Sequence, residues 1–97
     1  MSELNFEAMG RCEHLRKEIG DCLSKRDMFA LRLSTAARTS GSTFISNTIT
    51  AISISKIEDA LQQLKTYETK ARSLVDEYNQ WAVKAGKESI TFMSNSV

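Results

Sequence analysis

The sequence reads KIEDALQQLKTYETKARSLVDEYNQWAVKA over residues 56–85, and this stretch decides the fold. Its apolar and aromatic residues recur in alternating steps of three and four, which is the a/d spacing of a heptad repeat. This stripe consists of Ile57, Ala60, Leu64, Tyr67, Ala71, Leu74, Tyr78, Trp81 and Ala85, and it is widened by Leu61, Val75 and Ala82. A following glycine and flanking lysines are typical of a helix C-terminus. The pattern predicts a long amphipathic helix that ends beside Gly86.

The first part of the chain carries a second stripe with the same spacing, within residues 3–38. Its members are Ala8, Cys12, Leu15, Ile19, Cys22, Arg26, Phe29, Leu33 and Ala36. Most positions that follow the d residues are apolar too, so the apolar face is wider than a two-stranded coiled coil requires. Ser2 is a suitable N-cap, and Glu3 and Glu7 favour the positive end of the helix dipole. We predict a first helix over residues 3–38.

The two stripes are separated by TSGST at residues 39–43, which is the clearest turn signal in the chain. Isoleucines in residues 44–55 fit a helical face, but the ISIS of residues 52–55 alternates as a strand does. Serine and threonine can bond back to a helical carbonyl, so their number does not forbid a helix. We predict a second helix over residues 44–86, with 44–55 uncertain. The alternative is a short strand that pairs with residues 89–92.

The expected fold is a single all-α domain over residues 1–97, a long antiparallel helical hairpin followed by a polar, fraying tail at 87–97. Each stripe is wider than one helix–helix contact can bury. We therefore expect a second copy to complete a four-helix bundle, as a homodimer, although a different protein would cover the same surface equally well. The candidate oligomer-interface residues are Leu15, Ile19, Leu23, Phe29, Leu64, Tyr67, Leu74, Tyr78 and Trp81.

Composition narrows the class of protein. The chain has 97 residues, of which 41% are apolar and 26% are charged, and this is ordinary globular composition. The 13 Lys and Arg against 12 Asp and Glu give a net charge of +1, so no global basic excess is available to hold a polyanion. The N-terminus lacks an apolar signal-peptide core, and no stretch is long and apolar enough to span a bilayer. We expect a cytoplasmic protein with no membrane association.

The sequence contains no motif for catalysis or metal binding. Its single histidine, His14, faces away from the stripe one turn before Glu18, which predicts a pair on the helix surface. Cys12 and Cys22 are too far apart along one helix for a disulfide and are interpreted as small buried hydrophobes. CxxC and HExxH motifs and glycine-rich phosphate loops are absent. We predict no catalytic residue, no metal and no cofactor, and therefore no enzyme.

Charged residues beside the first stripe and apolar residues in the tail are the candidates for binding a partner. These partner-binding candidates are Arg11, Glu18, Lys25, Arg26, Arg32, Ile90, Phe92 and Met93. Four of the charged residues repeat every seven positions, where they either tune the pairing of helices or form a charged binding edge. Arg26 occupies a stripe position, so it snorkels to the bundle edge, sets the helix register or contacts an acidic partner.

The layout resembles that of the WXG-type secreted helical hairpins, which are about this long and turn near their midpoint. The turn here lacks tryptophan, and neither Tyr67 nor Tyr78 has an acid four residues later, so we do not assign the chain to that family. The layout also resembles the small plasmid RNA-binding hairpin dimers, without a shared motif. In size and in its lack of a catalytic site, the chain is similar to phage-encoded inhibitors of host nucleases and defence complexes.

These observations favour a non-enzymatic protein-binding module, an adaptor or inhibitor that covers the surface of a larger protein or complex. The alternative is a nucleic-acid-binding hairpin dimer, although the acids that alternate with the basic residues of the first helix make a poor electrostatic surface for a polyanion. A structural subunit or assembly chaperone is the third hypothesis.

Overall fold

The structure is a computed structural model that describes residues 5–38, 47 and 49–93. In that part of the chain two helices, α1 (Phe6–Ala37) and α2 (Ile54–Ala85), pack as an antiparallel hairpin, and no strand is present. The predicted all-α helical hairpin is confirmed. Neither helix has a run of low charge and high hydropathy long enough to cross a membrane.

The first helix begins three residues later than predicted. Asn5 is its N-cap, because the Asn5 side-chain oxygen accepts a hydrogen bond of 3.0 Å from the backbone N–H of Ala8. This bond satisfies one of the backbone donors that the first helical turn leaves free. The prediction that the helix begins at residue 3 is therefore wrong, and the proposed cap Ser2 lies outside the described residues.

The second helix begins at Ile54, so the prediction of a helix from residue 44 is wrong where the structure describes that segment. Asn47 has a φ of 59°, in the left-handed region that interrupts a helix, and residues 49–53 have no regular structure. β-Branched side chains lose rotamer freedom in a helix, and serine and threonine compete for its backbone groups. The alternative strand is absent there too. The predicted turn at 39–43 lies outside the described residues, as do 44–46 and 48.

The end of α2 agrees with the sequence prediction. Gly86 has a φ of 69°, a conformation that an L side chain rarely adopts. The Gly86 N–H donates to the Val83 carbonyl at 3.4 Å, and the Lys87 N–H donates to the Ala82 carbonyl at 2.9 Å. These two bonds form a Schellman motif, which satisfies carbonyls that the helix leaves free.

Two Gly→Ala substitutions should change stability in opposite directions. Neither Gly20 nor Gly86 has an atom near its added Cβ, so only backbone conformation differs between the two sites. Gly20→Ala should raise the free energy of unfolding by about 1 kcal/mol, because alanine favours the exposed interior of a helix. Gly86→Ala should lower it by about 1 kcal/mol, because of its left-handed φ. Urea unfolding followed by circular dichroism at one protein concentration measures both changes, and equal signs would contradict this account.

The fully buried core lies in the half of the hairpin that is far from the connection between the helices. We call this the open half, and the other end the loop half. The buried residues of the open half are Ala8, Cys12, Leu15, Ile19 and Cys22 of α1 and Ala71, Val75, Tyr78 and Ala82 of α2. In the loop half only Ala60 is buried among the described residues. The two ends of the hairpin are therefore packed unequally.

The segment after α2, residues 87–93, folds back onto the open half. The Asn79 side chain donates to the Ile90 carbonyl at 2.9 Å and accepts from the Ile90 N–H at 2.7 Å. Ile90 and Phe92 pack against the core cluster, and the Arg72 guanidinium lies 4.3 Å from the centre of the Phe92 ring. The segment that was predicted to fray is thus held against the hairpin as far as Phe92. Residues 94–97 lie outside the described part.

The same contacts explain which residues of α2 are buried. Val75 lies one helical turn from both Arg72 and Asn79, so the returning segment covers its side of the helix. Val75 is buried, whereas its neighbour Leu74 on the predicted stripe is only half-buried. We call the surface on which the segment lies the tail face.

Replacing Asn79 should release the returning segment. Asn79→Ala removes both hydrogen bonds and leaves the polar backbone groups of Ile90 without a partner. We expect a loss of about 1–2 kcal/mol in the free energy of unfolding and faster hydrogen exchange at the Ile90 amide. Gln80→Ala is the control, because Gln80 is the exposed neighbour. Unchanged exchange at Ile90 in Asn79→Ala would show that the two bonds do not hold the segment.

Candidate functional site

Six cations lie on one face of the hairpin, which we call the cationic face. They are Arg11, Lys25 and Arg32 of α1 and Lys56, Lys70 and Lys84 of α2. In the open half, two of them flank the half-buried Trp81: the Arg11 guanidinium is 5.4 Å from the ring centre and the Lys84 ammonium is 4.8 Å from it. Both approaches are within the range of a cation–π interaction. One ring therefore holds two positive charges, one from each helix.

The middle of the cationic face repeats this arrangement. The Lys25 ammonium lies 5.7 Å from the centre of the Tyr67 ring, and Lys70 lines the same shallow pocket of about 200 Å³. Tyr67 stacks on Phe29 with ring centres 5.8 Å apart and an interplanar angle of 12°. The Arg32 guanidinium lies 5.2 Å from the Phe29 ring. Cations and aromatic rings thus alternate along the face.

The loop half of this face contains a larger cavity of about 650 Å³ between the helices. Its apolar lining includes Phe29, Ala36 and Ala60, and its polar lining includes Arg32 and Lys56. Leu31, which also lines it, is 68% exposed. The cavity is large enough for one or two side chains of a partner, and its mixed apolar and charged lining is typical of an interface anchor site.

The charges on the cationic face are poorly compensated. Within the described residues, none of the six cations has an acid within 4.0 Å. Glu18 and Asp21 line the smaller pocket, Asp59 lines the larger one, and Glu77 shares the seven-residue spacing of Lys70 and Lys84. After these four acids are counted against the six cations, the cationic face keeps a modest excess of positive charge. Like charges from the two helices lie together at Trp81, which costs electrostatic free energy that an acidic ligand would reduce.

Arg26 lies at the edge of the helix–helix contact and joins the two helices. It donates to Asp27 at 2.8 and 3.0 Å and to Glu68 of α2 at 3.3 Å. The hydrogen bond that Arg26 donates to Asp27 raises the pKa of Arg26, and Glu68 adds to the effect. The position of Arg26 at the edge of the contact agrees with the snorkelling interpretation, and the register-setting and acidic-partner interpretations stay predictions. The half-buried Arg26 side chain forms its ion pairs with Asp27 and Glu68 of the same chain.

Arg16 has a comparable role that the sequence analysis did not identify. Its guanidinium lies 5.5 Å from the Tyr78 ring centre and donates to the Tyr78 hydroxyl at 3.3 Å. This hydrogen bond raises the pKa of Arg16 above its usual value. Tyr78 is buried, so Arg16 supplies a partner for the hydroxyl at the end of an otherwise apolar ring.

The structure places the predicted oligomer-interface residues in the contact between the two helices of one chain. Leu15, Ile19 and Tyr78 are buried there, and Leu23, Leu74 and Trp81 pack against them. The remaining three, Phe29, Leu64 and Tyr67, are half-buried in the loop half and middle of the hairpin. Much of the wide apolar stripe is therefore covered within one chain.

The partner-binding candidates are divided between two faces. Arg11, Lys25 and Arg32 belong to the cationic face, with Glu18 beside them. The structure adds three lysines of α2 to this set: Lys56, Lys70 and Lys84. Their spacing of fourteen residues was a signal in the sequence, but only the helix register shows that they lie beside the cations of α1. In the tail, Ile90 and Phe92 pack inward, while Met93 is 81% exposed.

Groups with catalytic or metal-binding potential lie apart from one another. His14 is exposed and lies 3.3 Å from Glu18, which confirms the predicted surface pair. Cys12 and Cys22 are buried free thiols, and the Cys22 thiol donates weakly to the Tyr67 carbonyl at 3.1 Å. In the part of the chain that the structure describes, no three His, Cys, Asp or Glu residues converge as metal ligands would.

Comparisons of the chain with known protein families, with curated proteins and with solved structures found no match.

The environment of Trp81 predicts how charged quenchers reach it. It is the only tryptophan, and Arg11 and Lys84 should concentrate anions beside it. We expect the Stern–Volmer constant for iodide to fall about twofold in the Arg11→Gln/Lys84→Gln double variant, while neutral acrylamide quenches both proteins alike. Lys17→Gln, on an exposed position of α1, is the control. An unchanged iodide constant would mean that the two cations do not create the positive field at the ring.

Proposed function

We propose that this protein is a non-enzymatic protein-binding module, an adaptor or inhibitor that covers an acidic surface of a larger protein or complex with its cationic face. The observation that carries the proposal is the set of six cations without ion-pair partners among the described residues, aligned with an apolar cavity on one face. An acidic partner would neutralise the cations, and an apolar side chain of that partner would enter the cavity.

The distribution of charge favours a protein partner over nucleic acid. Glu18 and Glu77 fall between the cation pair at Trp81 and the cation pair at Tyr67. A nucleic acid presents a phosphate at every step, so these acids would repel part of its backbone. A protein surface can match an alternating pattern with its own charges. The excess of positive charge on the cationic face also fits an acidic protein surface better than it fits the basic substrate cleft of a nuclease, which an inhibitor of nucleases would have to cover.

The rings on this face also favour a protein partner. Trp81 and Tyr67 already have cations over them, so they are poorly placed to stack on bases. Aromatic and arginine side chains next to a hydrophobic cavity are, by contrast, common at the energetic centres of protein interfaces.

We further propose that the module acts as a homodimer in which two hairpins form a four-helix assembly.

The proposal is tested by affinity capture from native lysate with single charge reversals on matched faces. Tagged wild type, Arg32→Glu and Lys17→Glu are compared after nuclease treatment, with bound proteins identified by mass spectrometry. Arg32 lines the cavity, whereas Lys17 is exposed on the outer side of α1, so the two variants have equal net charge but differ in the face that they alter. We expect one discrete protein to bind wild type and Lys17→Glu and to bind Arg32→Glu about tenfold more weakly.

Circular dichroism of each variant establishes that the helices are intact. A partner that binds Arg32→Glu as well as wild type would contradict the assignment of the cationic face. Loss of all bound material on nuclease treatment would favour the second candidate, a nucleic-acid-binding hairpin dimer.

The second candidate rests on the same alternation of cations and rings. It requires an affinity for duplex or single-stranded probes that falls steeply with added salt, because phosphate contacts release counterions. Arg11→Glu and Lys25→Glu should then weaken binding for every probe sequence alike. Absence of binding at low salt would exclude it.

A further inference from the structure

Among the residues that the structure describes, the tail face is covered in the open half and bare in the loop half. Four residues repeat every seven positions along one row of α2: Glu58, Lys65, Arg72 and Asn79. The last two bind the returning segment through Phe92 and Ile90. A second row contains Leu61, Glu68, Val75 and Ala82, of which Val75 and Ala82 are buried at the covered end. The rows continue without a break into the loop half.

Apolar side chains are exposed on the bare part of this face. Leu61 is 39% exposed and Ile54, seven residues before it, is 59% exposed. Ala30 and Ala37 share the seven-residue spacing of Leu23, which packs against the core, and both are exposed. The groove that the returning segment fills at one end is thus continuous with an apolar surface that no described residue covers at the other.

The charges beside Leu61 are self-complementary. Glu58 and Lys65 lie on the same row, about 10.5 Å apart along the axis, which is too far for an ion pair within one helix. Leu61 lies nearly midway between them. If a two-fold axis passes beside Leu61, the α2 helices of two copies run antiparallel, and Glu58 of each copy faces Lys65 of the other. A net charge of only +1 adds little repulsion between copies.

We propose that the bare loop half of the tail face binds a second copy of this chain, with Leu61 at the two-fold axis and Glu58–Lys65 pairs on either side. This inference rests on the dimer in the proposed function and assigns its surface. The two cationic faces then point outward on opposite sides of the dimer. One assembly can therefore bind two partner surfaces at once.

Sedimentation equilibrium of the purified protein tests the surface directly. Wild type should be a dimer, and Leu61→Glu should weaken dimerisation by about a hundredfold or more, because two carboxylates would enter the apolar contact. Val83→Glu is the matched control: it makes the same kind of change on α2 at a side chain that is 81% exposed in the open half, and the dimer should persist. Circular dichroism establishes that both variants are helical.

A charge exchange tests the register of the two copies. Glu58→Lys should weaken the dimer about tenfold, because each copy then presents like charges to the other at two places. The double variant Glu58→Lys/Lys65→Glu should restore the wild-type dissociation constant. Recovery requires that the two positions face each other between copies, since they do not meet within one helix.

A second, independent measurement uses disulfide formation. Leu61→Cys should give an oxidised dimer rapidly, because the two thiols meet near the axis and the native cysteines are buried. A monomeric wild-type protein, or a dimer that Leu61→Glu leaves intact, would overturn the assignment. These experiments need no partner, so they separate failure of this surface from failure of the cationic face. Arg32→Glu should still dimerise.

Discussion

The single contact between two long helices is the constraint on which the rest of this structure depends. One such contact buries only the inward row of each helix, here centred on Tyr78 between Cys12, Leu15 and Ile19. Alanines at positions 8, 71 and 82 are fully buried and allow the helices to approach closely. The stripes on both helices are wider than this row. The returning segment, the cavity in the loop half and the exposed residues beside Leu61 all follow from that surplus of apolar surface.

The helices could be predicted from the sequence because their signals are local. The heptad spacing predicted both helices. The end of α2 was predicted from Gly86, because glycine adopts the left-handed conformation of a helix C-terminus without steric cost. The sequence predictions were wrong where the structure depends on contacts between distant residues or on small differences in helix propensity. In the segment before Ile54, regular isoleucine spacing favoured a helix, but β-branched and hydroxyl side chains lowered its propensity, and Asn47 adopted a positive φ. At the other end, no property of residues 87–93 alone predicts the two hydrogen bonds with Asn79.

The candidate face was predicted only on one helix. The seven-residue repeat of Arg11, Lys25 and Arg32 indicated a charged edge, and those residues do lie on one face. Their apposition to Lys70 and Lys84 depends on how far one helix is shifted along the other. The ion pair from Arg26 to Glu68 joins the two helices in this register, and it becomes visible only when both helices are considered together. Patterning within one helix contains no such information.

The best-packed part of the hairpin lies farthest from the connection between its helices, and this has a consequence for how the chain folds. Arg16 and Tyr78, which meet in the open half, are 62 residues apart in sequence. In a chain without helices, closing that loop costs about 1 kcal/mol more than joining Ala37 to Ile54. Helices that form early remove most of this cost, because two rigid rods joined through residues 38–53 bring their distant ends together when they align. We therefore expect local helix formation to govern the speed of folding and the core to act mainly by slowing unfolding.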